Sequence, residues 1–299
     1  MSNERVKIAL YSLQLSETDL VFLADLVLEL ERIGYTLSVE AEFASSLALH
    51  LPSRHFTVFT SAAELKKMKA DLMLSIGGDG TMLRAATFIG DSELPLIGVN
   101  LGRLGFLATL QRENVVEALE RFSSGNYRVE ERSLLQAQLK GESGAFGKID
   151  YALNEVAVSR KDTTSMITIE TWLDGVYLTT YWADGLLIAT PTGSTGYSLS
   201  CGGPVVSPHS SSVVVTPVAP HHLNARPLII EDRTEIRLKV DSREPQHLVS
   251  LDSRISTVDN GQELCIRKAP FVLKLVVFEE DHFFQTLREK LLWGEDKRN

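Results

Sequence analysis

The stretch LSIGGDGTML, Leu74 to Leu83, runs an apolar segment into three glycines and one aspartate, Asp79, and then returns to apolar residues. Leu72 to Ile76 reads as a short buried strand, and Met82 to Phe88 as the helix that it feeds. Glycine tolerates positive φ and lets a backbone approach a bound group closely. Gly77, Gly78 and Gly80 at the end of a strand therefore suit a loop whose N–H groups face a phosphate, with the next helix N-terminus adding a favourable dipole. A carboxylate in such a loop repels an anion. The conflict resolves if Asp79 takes a proton from a hydroxyl, or helps hold Mg²⁺, while a phosphoryl group moves. For an isolated Gly-Asp-Gly, a tight turn closed by an Asx side-chain bond is the better reading. The loop is neither a P-loop, lacking Lys-Ser/Thr after the glycines, nor a G-x-G-x-x-G fingerprint.

Outward from this stretch, the first hundred residues alternate strand and helix patterns. Val6 to Leu10, Phe56 to Phe59 and Leu94 to Val99 are further short apolar runs, and Ala62 to Met68 reads as helix. Ser16 with Asp19 forms a capping box ahead of Leu20, Leu23, Val27 and Leu30 at helical spacing, and Gly34 can close that helix. The pattern predicts an α/β N-terminal domain with a mostly parallel sheet. From Ser133 the texture changes: SLLQAQLK, TEIRLKV and ELCIR alternate apolar with polar, the period of half-buried strands. Asp174-Gly175 within TWLDGVYL is a two-residue hairpin signal. The expected organisation is residues 1–130 as an α/β domain carrying GGDGT, and 131–270 as a mainly antiparallel, sandwich-like β domain. Residues 271–299 then form a strand and helix returning to the first domain. The polar run Arg121 to Arg132 is the expected crossing. Phe284, Leu287 and Leu291 make the stripe of the last helix, with Asp281 as its cap and Gly294 as its stop.

A formal charge of −9 argues against a broad nucleic-acid surface and requires local donors or a cation to offset the field at any anionic substrate. The two cysteines, Cys201 and Cys265, lack metal-ligand spacing and form no disulfide framework. The N-terminus lacks a long apolar h-region, and no run approaches the roughly 18 apolar residues of a membrane span. The expectation is a cytoplasmic protein without membrane attachment.

A second loop shifts the weight toward phosphate chemistry. DGLLIATPTGSTGYSLSCGGP carries Asp184, an apolar strand from Leu186 to Ala189, and then Thr192, Gly193, Ser194, Thr195, Gly196 and Tyr197. Small hydroxyl residues and glycines after a strand describe a polyanion cradle, and Tyr197 can stack or hydrogen-bond. The adjacent His221 and His222 project differently and have no third ligand nearby, which favours a structural role. Cys201 has no adjacent basic residue to activate it. Glu279-Glu280-Asp281 reads as a helix-start charge cluster.

Taken in order, GGDGT (77–81), NLGRLGFL (100–107), LNEV (153–156), DGLLIATPTGSTGYSLS (184–200) and PHHLNARPL (220–228) resemble the motifs of bacterial NAD kinases. GGDG alone is shared with diacylglycerol-type lipid kinases and phosphofructokinases; the ordered set is much more specific. The resemblance implies phosphoryl transfer from ATP, or in some members polyphosphate, to the 2′-hydroxyl of the adenosine ribose of NAD, with Mg²⁺ as the divalent ion. It makes Asp79 the proton acceptor and places Gly77, Gly78 and Gly80 in the binding loop. It assigns Asn154 and Glu155 to the nucleotide, Glu155 suiting two ribose hydroxyls and Asn154 a base edge. Adjacent strand residues face opposite ways, so the strand must end or bulge there if both touch one ligand. Asp184, Thr192, Thr195, Gly196, Tyr197, Ser198 and Ser200 fall in the segment implicated in binding NAD. Gly196 stands where many relatives carry Ala, leaving a roomier wall. Trp182 stands where basic residues are frequent, and LDSR (251–254) where many relatives have Asp-Gly-Gln, which makes Arg254 a candidate contact. Metal ligands are not identified. Family members are commonly homodimers or homotetramers. The competing readings are a GGDG-type lipid or sugar kinase, the former disfavoured by the absence of a basic amphipathic anchor, and a non-catalytic NAD sensor.

Overall fold

The computed structural model describes residues 5–13, 15–102, 104–142, 144–162, 165–278 and 283–292. By its contacts the chain divides into two compact units, one running to Glu131 and resuming at Leu273, the other spanning Arg132–Val272.

The first unit alternates strand and helix. In chain order it holds β1 (Lys7–Ser12), α1 (Glu17–Ile33), β2 (Thr36–Glu40), α2 (Ala41–Ala48), β3 (Thr57–Phe59), α3 (Ala62–Met68), β4 (Leu72–Ile76), α4 (Asp79–Ile89), β5 (Leu96–Asn100), the short β6 (Leu110–Gln111) and α5 (Val115–Ser123). α1 begins at the Ser16–Asp19 capping box and ends at Gly34 in the left-handed region, burying Leu20, Leu23, Val27 and Leu30. β1 pairs in parallel with β2 and β4, β2 with β3, and β4 with β5, giving the order β5-β4-β1-β2-β3. All five residues of β4 and of β5 are buried, the signature of strands covered on both faces. The chain moves from β1 toward β3 on one side and from β4 toward β5 on the other. The switch point, outside whose carboxyl ends such sheets bind ligands, therefore lies between β1 and β4. GGDGT directly follows β4.

Three features were not legible in advance. β2 and α2 abut without a turn signal because Glu40 ends the strand and also caps the helix, its Oε2 accepting the N–H groups of Glu42 and Phe43 at 2.9 and 3.0 Å. The polar stretch Arg121 to Arg132, at whose end the two units divide, is built from the end of α5, a turn at Gly125 with φ of +77°, and the start of a strand. Finally, α4 begins at Asp79 rather than Met82, so the aspartate stands in the first helical turn.

The second unit is antiparallel. Its elements are β7 (Arg128–Leu139, entered from the first unit), β8 (Tyr151–Ala152), β9 (Glu155–Arg160), β10 (Ile167–Leu173), β11 (Val176–Ala183), β12 (Gly185–Ala189), the one-turn helix α6 (Tyr197–Ser200), β13 (Ser212–Val218), β14 (Leu228–Glu231), β15 (Ile236–Asp241), β16 (Gln246–Leu251), β17 (Arg254–Asp259) and β18 (Glu263–Val277). One run of strands is β11-β10-β15-β18, with β7 beside β18 and β8 beside β7; the other sheet is β14-β13-β12-β9-β16-β17. Leu135, Val158, Ile169, Ile188, Leu238 and Leu251 belong to the single core that both sheets fill, as a sandwich requires. The β10–β11 hairpin turns at Asp174 and Gly175, both at positive φ, as its sequence demands. The expected fold class, a parallel α/β domain followed by an antiparallel β domain, holds.

β18 carries the chain back, its Leu275 pairing in parallel with Leu96 of β5. The closing helix α7 (Phe283–Leu291) buries Thr286 and Leu287. That inward line turns Phe284 out to solvent, so the expected stripe is correct only in part. Asp281, Gly294 and the Glu279-Glu280-Asp281 cluster lie outside the described residues.

Candidate functional site

In the first unit the site is built on the β4–α4 junction. Ser12 Oγ donates to the Ile76 carbonyl at 2.6 Å and the Gly77 N–H donates to the Val99 carbonyl at 2.8 Å, so the end of β4 is held from both neighbouring strands. Gly77 has φ of +149°, and a Cβ there would strike the Thr81 hydroxyl; Gly78 and Gly80 face open space, leaving their backbone approachable. The Asp79 carboxylate accepts three backbone N–H groups. Oδ2 takes that of Phe106 at 2.9 Å, and Oδ1 takes those of Leu107 and Ala108 at 3.0 Å each. An ionised carboxylate offers about four acceptor positions, so one, on Oδ2, is left for an incoming hydroxyl. Gly105 makes this packing possible, since a Cβ there would lie 2.0 Å from Asp79 Oδ1. The sequence singled out NLGRLGFL as a motif without assigning it work; its last residues, continued by Ala108, fix the carboxylate.

In the second unit the Asn154–Glu155 pair sits at a break between β8 and β9, where Leu153 and Asn154 leave the strand conformation. Asn154 Oδ1 and Glu155 Oε2 are buried and take no hydrogen bond. Buried polar groups are normally satisfied, so these two acceptors have unused capacity for hydroxyl or amino donors. The second glycine loop packs on the same break. The Thr190 N–H donates to the Asn154 carbonyl at 2.8 Å, Thr190 Oγ1 to the Leu153 carbonyl at 2.6 Å, and the Gly193 N–H to Thr190 Oγ1 at 3.1 Å. A Cβ on Gly193 would lie 2.1 Å from the Asn154 carbonyl oxygen, so only glycine fits. On Gly196 a Cβ would stand 3.3 Å from both the Asn154 amide nitrogen and Glu155 Oε2, which makes glycine there the roomier wall.

The remaining candidates separate. Thr192 to Thr195 form one 3₁₀ turn, closed by Thr195 Oγ1 on the Thr192 carbonyl at 3.2 Å; Tyr197 and Ser200 on α6 are exposed. Asp184 pairs with Arg160 at 3.0 Å. The Ser198 hydroxyl is fully buried and shares a 3.0 Å bond with Thr216, which anchors α6 to β13. The Arg254 guanidinium donates to the carbonyls of Ile149, at 2.9 Å, and Tyr151, buttressing the segment that leads to Asn154. Trp182 is half-exposed, not a core aromatic; its ring lies 4.6 Å from that of His221, beside a cavity of about 430 Å³ lined also by His222 and Arg226.

Electrostatics mark Glu155. Burial, then the neighbouring Asp252 charge, push its carboxyl up to about 7, against the opposing N–H of Tyr197. Burial and Glu155 likewise push the Cys201 thiol up, in keeping with a structural cysteine. A carboxyl raised in the folded state holds its proton between about pH 4.5 and 7 while the unfolded chain releases it, so stability is fully present below the lower value and is lost as pH rises through the upper. Glu155→Gln should therefore be more stable than wild type at pH 8 by up to about 3 kcal/mol. The gap should shrink toward pH 5 in urea denaturation; a pH-independent gap would contradict a buried, proton-holding Glu155.

Two family models match these two regions: the ATP-NAD kinase N-terminal domain over residues 13–127 and the ATP-NAD kinase C-terminal domain over 153–278. The NAD kinase of Flavobacterium psychrophilum is 47% identical over 295 residues, covering 98% of this chain and 100% of that one. The chain belongs to the NAD kinase family. The NAD kinase of Christiangramia forsetii is 54% identical over 246 residues, 82% of each chain. Among solved structures, an NAD kinase from Archaeoglobus fulgidus in complex with ATP matches with a TM-score of 0.73 at 26% identity, covering 96% of this chain and 99% of that one. Yeast NADH kinase complexed with NADH shares the fold, with a TM-score of 0.87 over 99% of this chain and 90% of that one, at 24% identity. Among the described residues no helix is long and apolar enough to cross a membrane.

Proposed function

We propose that this NAD kinase family member transfers the γ-phosphoryl group of ATP to the 2′-hydroxyl of the adenosine ribose of NAD, forming NADP and ADP. The observation that carries the reading is the Asp79 carboxylate, held by three N–H groups at the start of α4 with one acceptor position left over. In the reaction the O2′–H bond breaks with its proton passing to Asp79. The O2′–Pγ bond forms, and the bond from Pγ to the β,γ-bridging oxygen breaks with its electron pair leaving on ADP. A loose transition state asks little of the base, so positioning and charge neutralisation supply most of the rate. The backbone at Gly77, Gly78 and Gly80 takes phosphate oxygens. Asn154 and Glu155 take the adenosine moiety through their unpartnered acceptors, and Asp184, Thr192, Thr195, Gly196, Tyr197 and Ser200 line the dinucleotide.

Among the described residues no three His, Cys, Asp or Glu side chains are grouped to hold a metal ion, and Asp79 has a single acceptor position to offer. That donor set does not fit a resident metal; in this reading Mg²⁺ enters with ATP as part of the substrate and neutralises phosphate charge. The reading also places the enzyme in the cytoplasm as a homodimer or homotetramer, the latter checked by light scattering.

Incubation with MgATP and NAD, with NADP as the readout, separates the alternatives. NADP formation at turnover supports the proposal. Phosphorylation of a lipid or sugar in its place supports a GGDG-type kinase of another specificity, and NAD binding without turnover supports a sensor.

A further inference from the structure

We infer that Asp252 is a positioning residue for the nucleotide-binding pair Asn154–Glu155, gathering three consecutive backbone N–H groups so that two adjacent side chains can serve one ligand. The inference rests on the reading that this pair holds the nucleotide. Asp252 lies in the two-residue turn joining β16 to β17, with φ of +53°. Its Oδ1 accepts the N–H groups of Asn154 at 2.8 Å and Glu155 at 3.3 Å, its Oδ2 accepts that of Leu153 at 3.0 Å, and its own N–H donates to the Glu155 carbonyl at 2.9 Å.

Along a regular strand successive N–H groups point to opposite sides, so three in a row cannot reach one acceptor. They converge only where the backbone curls into an anion-binding nest. Here the anion is supplied by the protein itself. The opposite side of the curl is held by Thr190, which donates to the carbonyls of Leu153 and Asn154. The break that strand geometry requires beneath Asn154 and Glu155 is thus clamped from two distant parts of the chain. The Asp252 side chain is only 5% exposed, so it acts through the pair and does not touch the ligand. Arg254 stands 3.8 Å from it and partly balances its charge.

The charge of Asp252 also bears on Glu155, and this supplies a readout that a merely structural residue would not move. The groups facing Glu155 are Asp252 from the β16–β17 turn, with Arg254 behind it, and Tyr197 and Cys201 from the α6 segment. Burial is the larger cause of the raised Glu155 carboxyl, and Asp252, whose own carboxyl burial also raises, is the charge among these groups that further holds the Glu155 proton. Removing it releases that proton at lower pH.

The test is Asp252→Asn in the full-length enzyme, assayed for NADP formation with MgATP between pH 5.5 and 9. The expected result is a KM for NAD raised by about ten- to a hundredfold, a smaller change in kcat, an unchanged KM for ATP, and a midpoint in the pH dependence of KM for NAD displaced to lower pH. Asp252→Gly accepts the left-handed backbone and admits water to the N–H groups. It carries the same readouts if the Asn variant does not fold. Glu155→Gln and Asn154→Ala run alongside. If neither raises KM for NAD, the reading of the pair fails and the inference with it. If they do, while both Asp252 variants keep the wild-type KM and pH midpoint, the inference alone is overturned.

Discussion

In Asp79→Asn, kcat for NADP formation falls by about two to four orders of magnitude, the range that a positioned proton acceptor contributes, while calorimetry still detects NAD binding. The substitution removes the acceptor of the hydroxyl proton, but the structure adds a second consequence. An asparagine has one acceptor oxygen and an amide nitrogen, and that nitrogen must face at least one of the N–H groups of Phe106, Leu107 and Ala108. A donor left opposite a donor costs about 1–3 kcal/mol, so a lower melting temperature accompanies the lost turnover. The two effects are separable, because a destabilised but folded enzyme at low temperature recovers rate only if the chemistry is intact. Near-wild-type kcat under those conditions would remove Asp79 from the proton-transfer step.

Gly105→Ala is expected to do comparable damage without touching a reacting group. Its new Cβ would fall 2.0 Å from Asp79 Oδ1 and 2.8 Å from Cγ, so the carboxylate must leave the cradle of N–H groups. The backbone there requires no left-handed φ, so the aspartate is the neighbour that must yield. Displacement by about 1 Å can reduce the rate on the order of a hundredfold, and loss of the charge-assisted hydrogen bonds costs on the order of 3 kcal/mol. Because both substitutions disable one unit, the double variant Gly105→Ala/Asp79→Asn should be little worse than the poorer single variant. Steady-state kinetics on the four proteins checks this. Additive losses would mean that Gly105 acts on something other than the Asp79 carboxylate.

Much of the fold was legible because it is written locally. The capping box at Ser16 and the Gly34 stop bound α1, the mostly apolar run of β4, broken only by Ser75, announces a strand buried on both faces, and Asp174-Gly175 closes a hairpin that its neighbours in sequence already imply. Elements were missed where one residue does two jobs, as Glu40 does in ending β2 and capping α2. Of the site, Asp79, Asn154, Glu155 and the second glycine loop stood out by residue type and order. Asp252 and Thr190 did not, since an aspartate in a turn and a threonine after a strand are ordinary. For Ser198 and Arg254 the complementary limit holds: a hydroxyl or guanidinium near a motif does not reveal its partners, which are Thr216 for the one and the Ile149 carbonyl for the other.

By itself the sequence determined the succession of parallel α/β and antiparallel β units, the family, and the residue types available for phosphoryl transfer. Each of these depends on periodicity, turn chemistry or motif order within short windows. Only the tertiary structure decided what those residues are bonded to. The N–H groups that hold Asp79 come from 27 to 29 positions further along the chain, and those that Asp252 gathers lie 97 to 99 positions earlier. Such contacts are selected by the packing of whole sheets, and a backbone N–H carries no mark in the one-letter code of the partner it will find.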